Sequence, residues 1–143
     1  MRAVVLDTGP LVGLLHDGDA HHDSAVAGIR RSAEQGRALV TTWEVVGEAY
    51  TLIRTRISAR RQPPAAMTVL RWAEDSGVLI EQSVEGDQRR AIELLRIHAD
   101  VALSYVDALV LAISERLGVD ELQTVDAHLG AVRLSRPLLV TVV

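Results

Sequence analysis

An α/β fold, with five strands in one open parallel sheet and helices on both of its faces, is predicted for this chain by three observations. Short apolar runs alternate with longer stretches of helical periodicity from one end to the other. The first of those runs, Ala3–Leu6, is apolar without interruption, as strands covered on both faces are. No linker, low-complexity segment or internal repeat breaks the alternation, and 143 residues is the length of one domain, so residues 1–143 read as a single unit.

The elements follow in order. Ala3–Leu6 is a strand, and Pro10 suits the first turn of a short helix over Leu11–Leu15. A second helix runs from Asp19 to about Gln35 and ends at Gly36. Ala38–Thr41 is a strand, and Trp43 to about Ile57 a helix, with Thr41 and Glu44 spaced as a capping box. Another helix follows Pro63 and Pro64 and stops at Gly77. Val78–Glu81 is a strand, Asp87–His98 a helix, and Ser104–Leu117 a strongly apolar helix closed by Gly118. Glu121–Val125 and Leu138–Val142 complete the five strands. In such sheets ligands bind beyond the carboxyl ends of the strands.

Composition removes whole classes of chemistry. Without cysteine there is no disulfide scaffold, thiolate zinc site or thiol nucleophile. All 15 basic residues are arginine, so a Walker-type phosphate loop and Schiff-base catalysis, which need lysine, are excluded. Arginine in place of lysine also fits the codon bias of a GC-rich genome. A net charge of −4 argues against a generally basic nucleic-acid coat, and leaves a local basic patch or metal ions in an acidic site to handle phosphate. No apolar run is long enough to span a membrane, and Asp7 interrupts the first one, so neither a span nor a secretory leader is expected. The expected location is the cytoplasm.

Four carboxylates stand where chemistry would use them, each with a plainer reading beside it. Asp7 follows the first strand in Val5-Leu6-Asp7-Thr8-Gly9-Pro10, at the carboxyl edge of the sheet; it also suits a helix cap. Asp126 repeats the arrangement in Thr124-Val125-Asp126-Ala127-His128, with the same alternative. On the helix after the second strand, Val45, Val46, Ala49, Tyr50, Leu52, Ile53 and Ile57 define an apolar face. Glu48 lies about 40° from Leu52, at the rim of that face, whereas Glu44 lies on the solvated side as the capping-box partner of Thr41. Asp107 opens the helix Ala108-Leu109-Val110-Leu111-Ala112-Ile113, where burying a carboxylate is costly unless it is paired. Ser104-x-x-Asp107 is itself a capping-box pattern, so a structural role stays open. Acids gathered in one cleft repel unless a hard cation sits among them, and oxygen donors are what Mg²⁺ or Mn²⁺ prefers. A water acidified by such an ion can attack a phosphodiester without a lysine, cysteine or histidine nucleophile.

With Asp7-Thr8-Gly9, Thr41-Thr42-Trp43-Glu44-Val45-Val46-Gly47-Glu48, Leu103-Ser104-Tyr105-Val106-Asp107-Ala108 and Thr124-Val125-Asp126-Ala127-His128 in this order, the chain resembles PIN-domain ribonucleases, and more narrowly the VapC-type toxins of toxin–antitoxin pairs. The resemblance covers nearly the whole chain and implies a PIN-like three-layer α/β/α domain with a central five-stranded parallel sheet. It carries the family's acidic quartet over to Asp7, Glu48, Asp107 and Asp126 as catalytic residues and ligands of Mg²⁺, or of Mn²⁺. Thr8 and Thr124 match hydroxyls that support the metal site, and Ser104 is taken with them. It further implies cleavage of single-stranded or loop RNA leaving a 5′ phosphate, a homodimer, and inhibition by a cognate VapB-type antitoxin. Leu129 departs from the family's usual phenylalanine, which concerns packing.

Other features carry weaker expectations. Arg54, Arg56, Arg60 and Arg61 are candidate contacts for the RNA backbone, or else an ordinary basic helix end. His21 and His22 read as surface residues, His128 as a loop histidine packing beside Asp126, Glu44 and Asp100 as solvated acids, and Trp43 and Trp72 as core or dimer-surface residues. A haloacid-dehalogenase-type phosphatase needs Asp-x-Asp after the first strand and a lysine, and a receiver domain needs a comparable lysine; both fail. A PIN-like RNA-processing nuclease without an antitoxin, and a non-catalytic RNA-binding PIN-like domain, remain the alternatives to a toxin.

Overall fold

A computed structural model describes residues 2–56 and 62–143. Five strands form one parallel sheet: β1 (Ala3–Leu6), β2 (Ala38–Thr42), β3 (Leu79–Glu81), β4 (Glu121–Thr124) and β5 (Leu139–Val142), in the order β3-β2-β1-β4-β5. Helices α1 (Thr8–Leu15) and α2 (His22–Glu34) connect β1 to β2. α3 (Trp43–Arg56) and α4 (Gln62–Asp75) connect β2 to β3, and α5 (Glu85–Ile97) and α6 (Tyr105–Leu117) lead from β3 to β4. A 3₁₀ turn, Ala127–Ala131, precedes β5. The expected strands and helices are all present. Among the described residues no helix is long and apolar enough to cross a membrane.

The chain steps outward from β1 to β2 and β3, then crosses back to β4 on the other side of β1. Right-handed crossovers therefore put α1–α4 on one face and α5 and α6 on the other. Residues of both layers close the core around the sheet: Val5, Val40 and Leu122 pack in one cluster with Leu11, Val46 and Ile53 and with Val110 and Leu111. The reversal also makes the carboxyl ends of β1 and β4 the switch point of the sheet, where adjacent loops part and leave a crevice.

Helix starts differ from the sequence reading: α1 begins earlier, at Thr8 rather than Leu11, α2 begins later, and the cap of α3 is one residue on. α2 begins at His22 rather than Asp19, because Asp19 spends its side chain on a turn, its Oδ2 accepting the His21 amide proton at 2.9 Å. The α3 cap is Thr42, whose hydroxyl accepts the Val45 amide proton at 3.1 Å. Thr41 is still in β2 and its hydroxyl donates to the Leu6 carbonyl at 2.9 Å, so the expected Thr41–Glu44 box does not form. Glu44 is half-buried rather than solvated, its Oε1 accepting from the Ser83 hydroxyl at 2.8 Å. Gly118 ends α6 with φ +64°, the left-handed conformation that a closing glycine supplies without strain. Ile57, the expected end of α3, lies outside the described residues.

Candidate active site

Asp7 is the last residue the sheet holds before α1: its amide donates to the Gln123 carbonyl across to β4. It stands at the N-cap position, yet its side chain makes no capping bond. Instead the Thr124 hydroxyl donates to Oδ2 at 2.7 Å, while Oδ1 is buried without a hydrogen-bond partner, as is the hydroxyl of Thr8 beside it. Only 5% of Asp7 is exposed. Burial pushes its carboxyl up to about 6, against the Thr124 bond that favours the ionised form, and the negative charges of Asp107 and Glu48 push the same way as burial.

Thr124 joins the two strand-end acids. The hydroxyl that donates to Asp7 also accepts the amide proton of Asp126 at 3.0 Å. Asp126 in turn caps the 3₁₀ turn, its Oδ1 accepting the His128 amide proton at 2.8 Å, with His128 Nδ1 at 2.9 Å from the same oxygen. Asp107 makes both halves of a capping box: its amide donates to the Ser104 hydroxyl at 3.0 Å, and its Oδ2 accepts the Ser104 amide proton at 2.8 Å. Ser104 acts through that box rather than on the cavity itself. Glu48 stands half-buried, one turn before Leu52, beside the buried stripe Val45, Ala49 and Ile53.

All four acids line a single cavity of about 250 Å³ at the switch point. Asp7 and Asp126 come to it from strand ends, Glu48 from the side of α3 and Asp107 from the first turn of α6. Thr8 and Gly9 line it too. Among the described residues no three acids or histidines are close enough together to hold a metal ion as they stand. The carboxylates ring the cavity instead of meeting in it, the arrangement mutual repulsion favours. Their chemistry nevertheless fits a hard divalent cation: every donor is oxygen, and one carboxylate oxygen of the lining, Asp7 Oδ1, is buried with no hydrogen-bond partner.

The lining also holds Asp19 and His21, whose place there the sequence reading missed, beside Arg56, one of the arginines expected to contact RNA. Asp19 and His21, from the loop before α2, and Arg56, at the end of α3, stand at the cavity, Arg56 and Asp19 pairing at 3.8 Å. Their position follows from topology. α2 must deliver the chain to the start of β2, so its own start, with Asp19 and His21 just ahead, lies at the carboxyl edge. Arg54 is exposed and does not line the cavity; Arg60 and Arg61 lie outside the described residues. His22 turns to α1 rather than to the cavity, its Nδ1–H donating to the Gly13 carbonyl at 2.7 Å. Trp43 is half exposed, Trp72 packs against the core, and Asp100 is exposed.

The family model for the PIN domain matches residues 4–134. The chain belongs to the PIN domain family. The structure of Mycobacterium tuberculosis VapC20, described as a toxin that cleaves the sarcin–ricin loop, is similar with a TM-score of 0.78 and 25% identity, covering 90% of this chain and 94% of that one. Two more distant structures share the fold. A Klebsiella pneumoniae toxin–antitoxin complex has a TM-score of 0.57 at 16% identity, over 87% of each chain. A protein of Pyrobaculum aerophilum has 0.58 at 19%, over 90% of this chain and 83% of that one. No curated protein matches the sequence.

In this PIN domain the cavity floor depends on a glycine. A Cβ built on Gly9 would lie 2.3 Å from Val125 Cγ2 and 3.1 Å from Val125 Cβ, too close for rotation of a β-branched side chain to relieve. Gly9→Ala should therefore push Val125, and Asp126 with it, away from Asp7. The expected cost is about 1–3 kcal/mol in denaturant unfolding, with a loss of cleavage of roughly 10–100-fold from the displaced carboxylate. Wild-type activity in Gly9→Ala would show that the Asp7–Asp126 spacing does not matter.

Proposed function

We propose that this PIN domain, as one unit over residues 1–143, is a Mg²⁺- or Mn²⁺-dependent endoribonuclease and the toxin of a VapBC-type pair, working in the cytoplasm. The observation that carries the reading is Asp7, a buried carboxylate with one oxygen bonded to Thr124 and the other unpartnered, in a cavity shared with three more acids from distant parts of the chain.

Asp7, Glu48, Asp107 and Asp126 would hold the cation. Bound there, it supplies the positive charge that acidifies water and offsets charge developing on a phosphodiester. The chain's own part is to fix the acids beforehand. Thr124 holds Asp7 by its Oδ2 and leaves Oδ1 without a hydrogen-bond partner, while the same hydroxyl holds the Asp126 backbone. Ser104 fixes Asp107 through one oxygen and leaves the other available. Orientation prepared in this way lowers the entropy cost of the reaction.

RNA is proposed as substrate, with a 5′ phosphate left on the product. The sarcin–ricin loop is the first RNA to try, as the stated target of the M. tuberculosis neighbour. A VapB-type antitoxin is the proposed inhibitor and a homodimer the proposed assembly. The test is incubation of the purified protein with total RNA and with a sarcin–ricin hairpin, mapping new 5′ ends. Cleavage is expected with Mg²⁺ or Mn²⁺ and is expected to stop in excess chelator. Undiminished cleavage in chelator would overturn the reading.

A further inference from the structure

The cavity that holds the four acids also carries an internal ion pair that none of the proposed chemistry uses. Among the described residues, Arg56 is the one arginine lining it, facing five carboxylates: Asp7, Asp19, Glu48, Asp107 and Asp126. An RNA strand approaching that surface meets net negative charge, so a cation at the rim is needed to hold its backbone near the acids.

Arg56 is built to change partners. Glu48, Leu52 and Arg56 are spaced four residues apart and form one stripe on α3, all three on the cavity. At 1.5 Å per residue the backbones of the acid and the arginine at its ends are about 12 Å apart along the helix, so the two side chains come to the cavity from different turns. The Arg56–Asp19 contact is long, at 3.8 Å, and 56% of the Arg56 side chain is exposed. A loose pair of this kind is held weakly in water. Asp19 is the fixed member: its side chain is only 12% exposed and its Oδ2 is bound by the His21 amide.

We infer that Asp19 and Arg56 form a self-occupied phosphate subsite. In free protein Asp19 holds the guanidinium at the rim. When RNA binds, a phosphate flanking the scissile one displaces Asp19 and takes Arg56, a bidentate geometry that guanidinium suits. Asp19 is then a competitor of the substrate, and removing its charge strengthens binding. This inference rests on the ribonuclease reading and names the part of that site which positions the strand.

The test is equilibrium binding of a short fluorescent single-stranded RNA in excess chelator, so that nothing is cleaved, across a series of NaCl concentrations. Arg56→Gln should weaken binding roughly 5–10-fold at low salt and flatten the log–log salt slope by about 0.7, the loss of one phosphate contact to a single strand. Asp19→Asn, which keeps an oxygen to accept the His21 amide proton, should tighten binding roughly 3–10-fold. Arg30→Gln, exposed on α2 and not part of the cavity lining, is the control and should leave the slope unchanged. In cleavage assays with Mg²⁺, Arg56→Gln should raise KM with little change in kcat. An unchanged slope in Arg56→Gln, an equal flattening in Arg30→Gln, or weaker binding by Asp19→Asn each overturns the inference while wild-type cleavage stands. Wild-type protein that neither binds nor cleaves RNA overturns the ribonuclease reading and this one with it.

Discussion

Asp7→Asn is expected to abolish RNA cleavage and, at the same time, to make the protein more stable at neutral pH. Asparagine keeps an oxygen to accept the Thr124 hydroxyl proton but carries no charge. The wild-type carboxyl titrates at about 6 in the fold against an ordinary 3.8. A raised carboxyl pKa means that the fold prefers the neutral acid. Its contribution to stability is then fully present below about pH 4 and is lost as pH rises through about 6. At pH 7 the native state bears a buried charge whose cost is roughly 3 kcal/mol for a shift of that size. Denaturant unfolding in chelator should therefore show Asp7→Asn more stable by up to about 3 kcal/mol at pH 7, with the difference fading toward pH 4. Mg²⁺ should raise the Tm of wild type and leave that of Asp7→Asn nearly unchanged. The proton and the cation compete for one carboxylate, so cleavage by wild type should fall as pH drops through about 6. A variant destabilised at pH 7, or one that still cleaves, would mean that Asp7 is a structural residue.

That combination shows which parts of the molecule were legible in the sequence. The strands were, because each is a short apolar run between helical stretches; Ala3–Leu6 is matched to the residue. The acids at strand ends were legible too, because a parallel sheet puts its carboxyl edge on one side whatever the strand order. Strand order itself was not: nothing local in β4 says that it lies against β1, yet that pairing brings Thr124 to Asp7. Capping is misplaced at α3 by one residue, since Thr41 and Thr42 are equivalent in propensity and both end β2, and only the fold sends the Thr41 hydroxyl to the Leu6 carbonyl and the Thr42 hydroxyl to the first turn of α3. Asp19 was hidden for the same kind of reason. It read as the start of a helix, and its place at the cavity depends on where α2 must begin to reach β2. Gly9 stood within a quoted motif, but its closeness to Val125 is a contact across more than a hundred residues.

The sequence left each of the three aspartates with two readings, cap or ligand, and the structure gives Asp107 a claim to both. The expected result that separates them is a large loss of cleavage in Asp107→Asn, roughly 10²–10³-fold in kcat, with a fold as stable as wild type to within about 0.5 kcal/mol. The reason lies in how its two oxygens are divided. Oδ2 accepts the Ser104 amide proton, and asparagine can present its oxygen to the same amide. The Asp107 amide keeps the Ser104 hydroxyl whatever the side chain. The box thus survives in Asp107→Asn, and only negative charge leaves the cavity. Asp107→Ala removes the reciprocal bond as well and should cost about 1 kcal/mol more in unfolding, with cleavage no worse than in Asp107→Asn. Activity that tracked stability across the two variants would make Asp107 a cap and nothing else. Activity lost in both, with stability lost only in alanine, requires the carboxylate to act in the cavity itself. The Asp7 carboxyl supplies a second readout: with the Asp107 charge removed, its titration, followed by carboxyl NMR, should move down from about 6. Glu44→Gln, which leaves an oxygen for the Ser83 hydroxyl and lies outside the cavity lining, should change neither cleavage nor that titration.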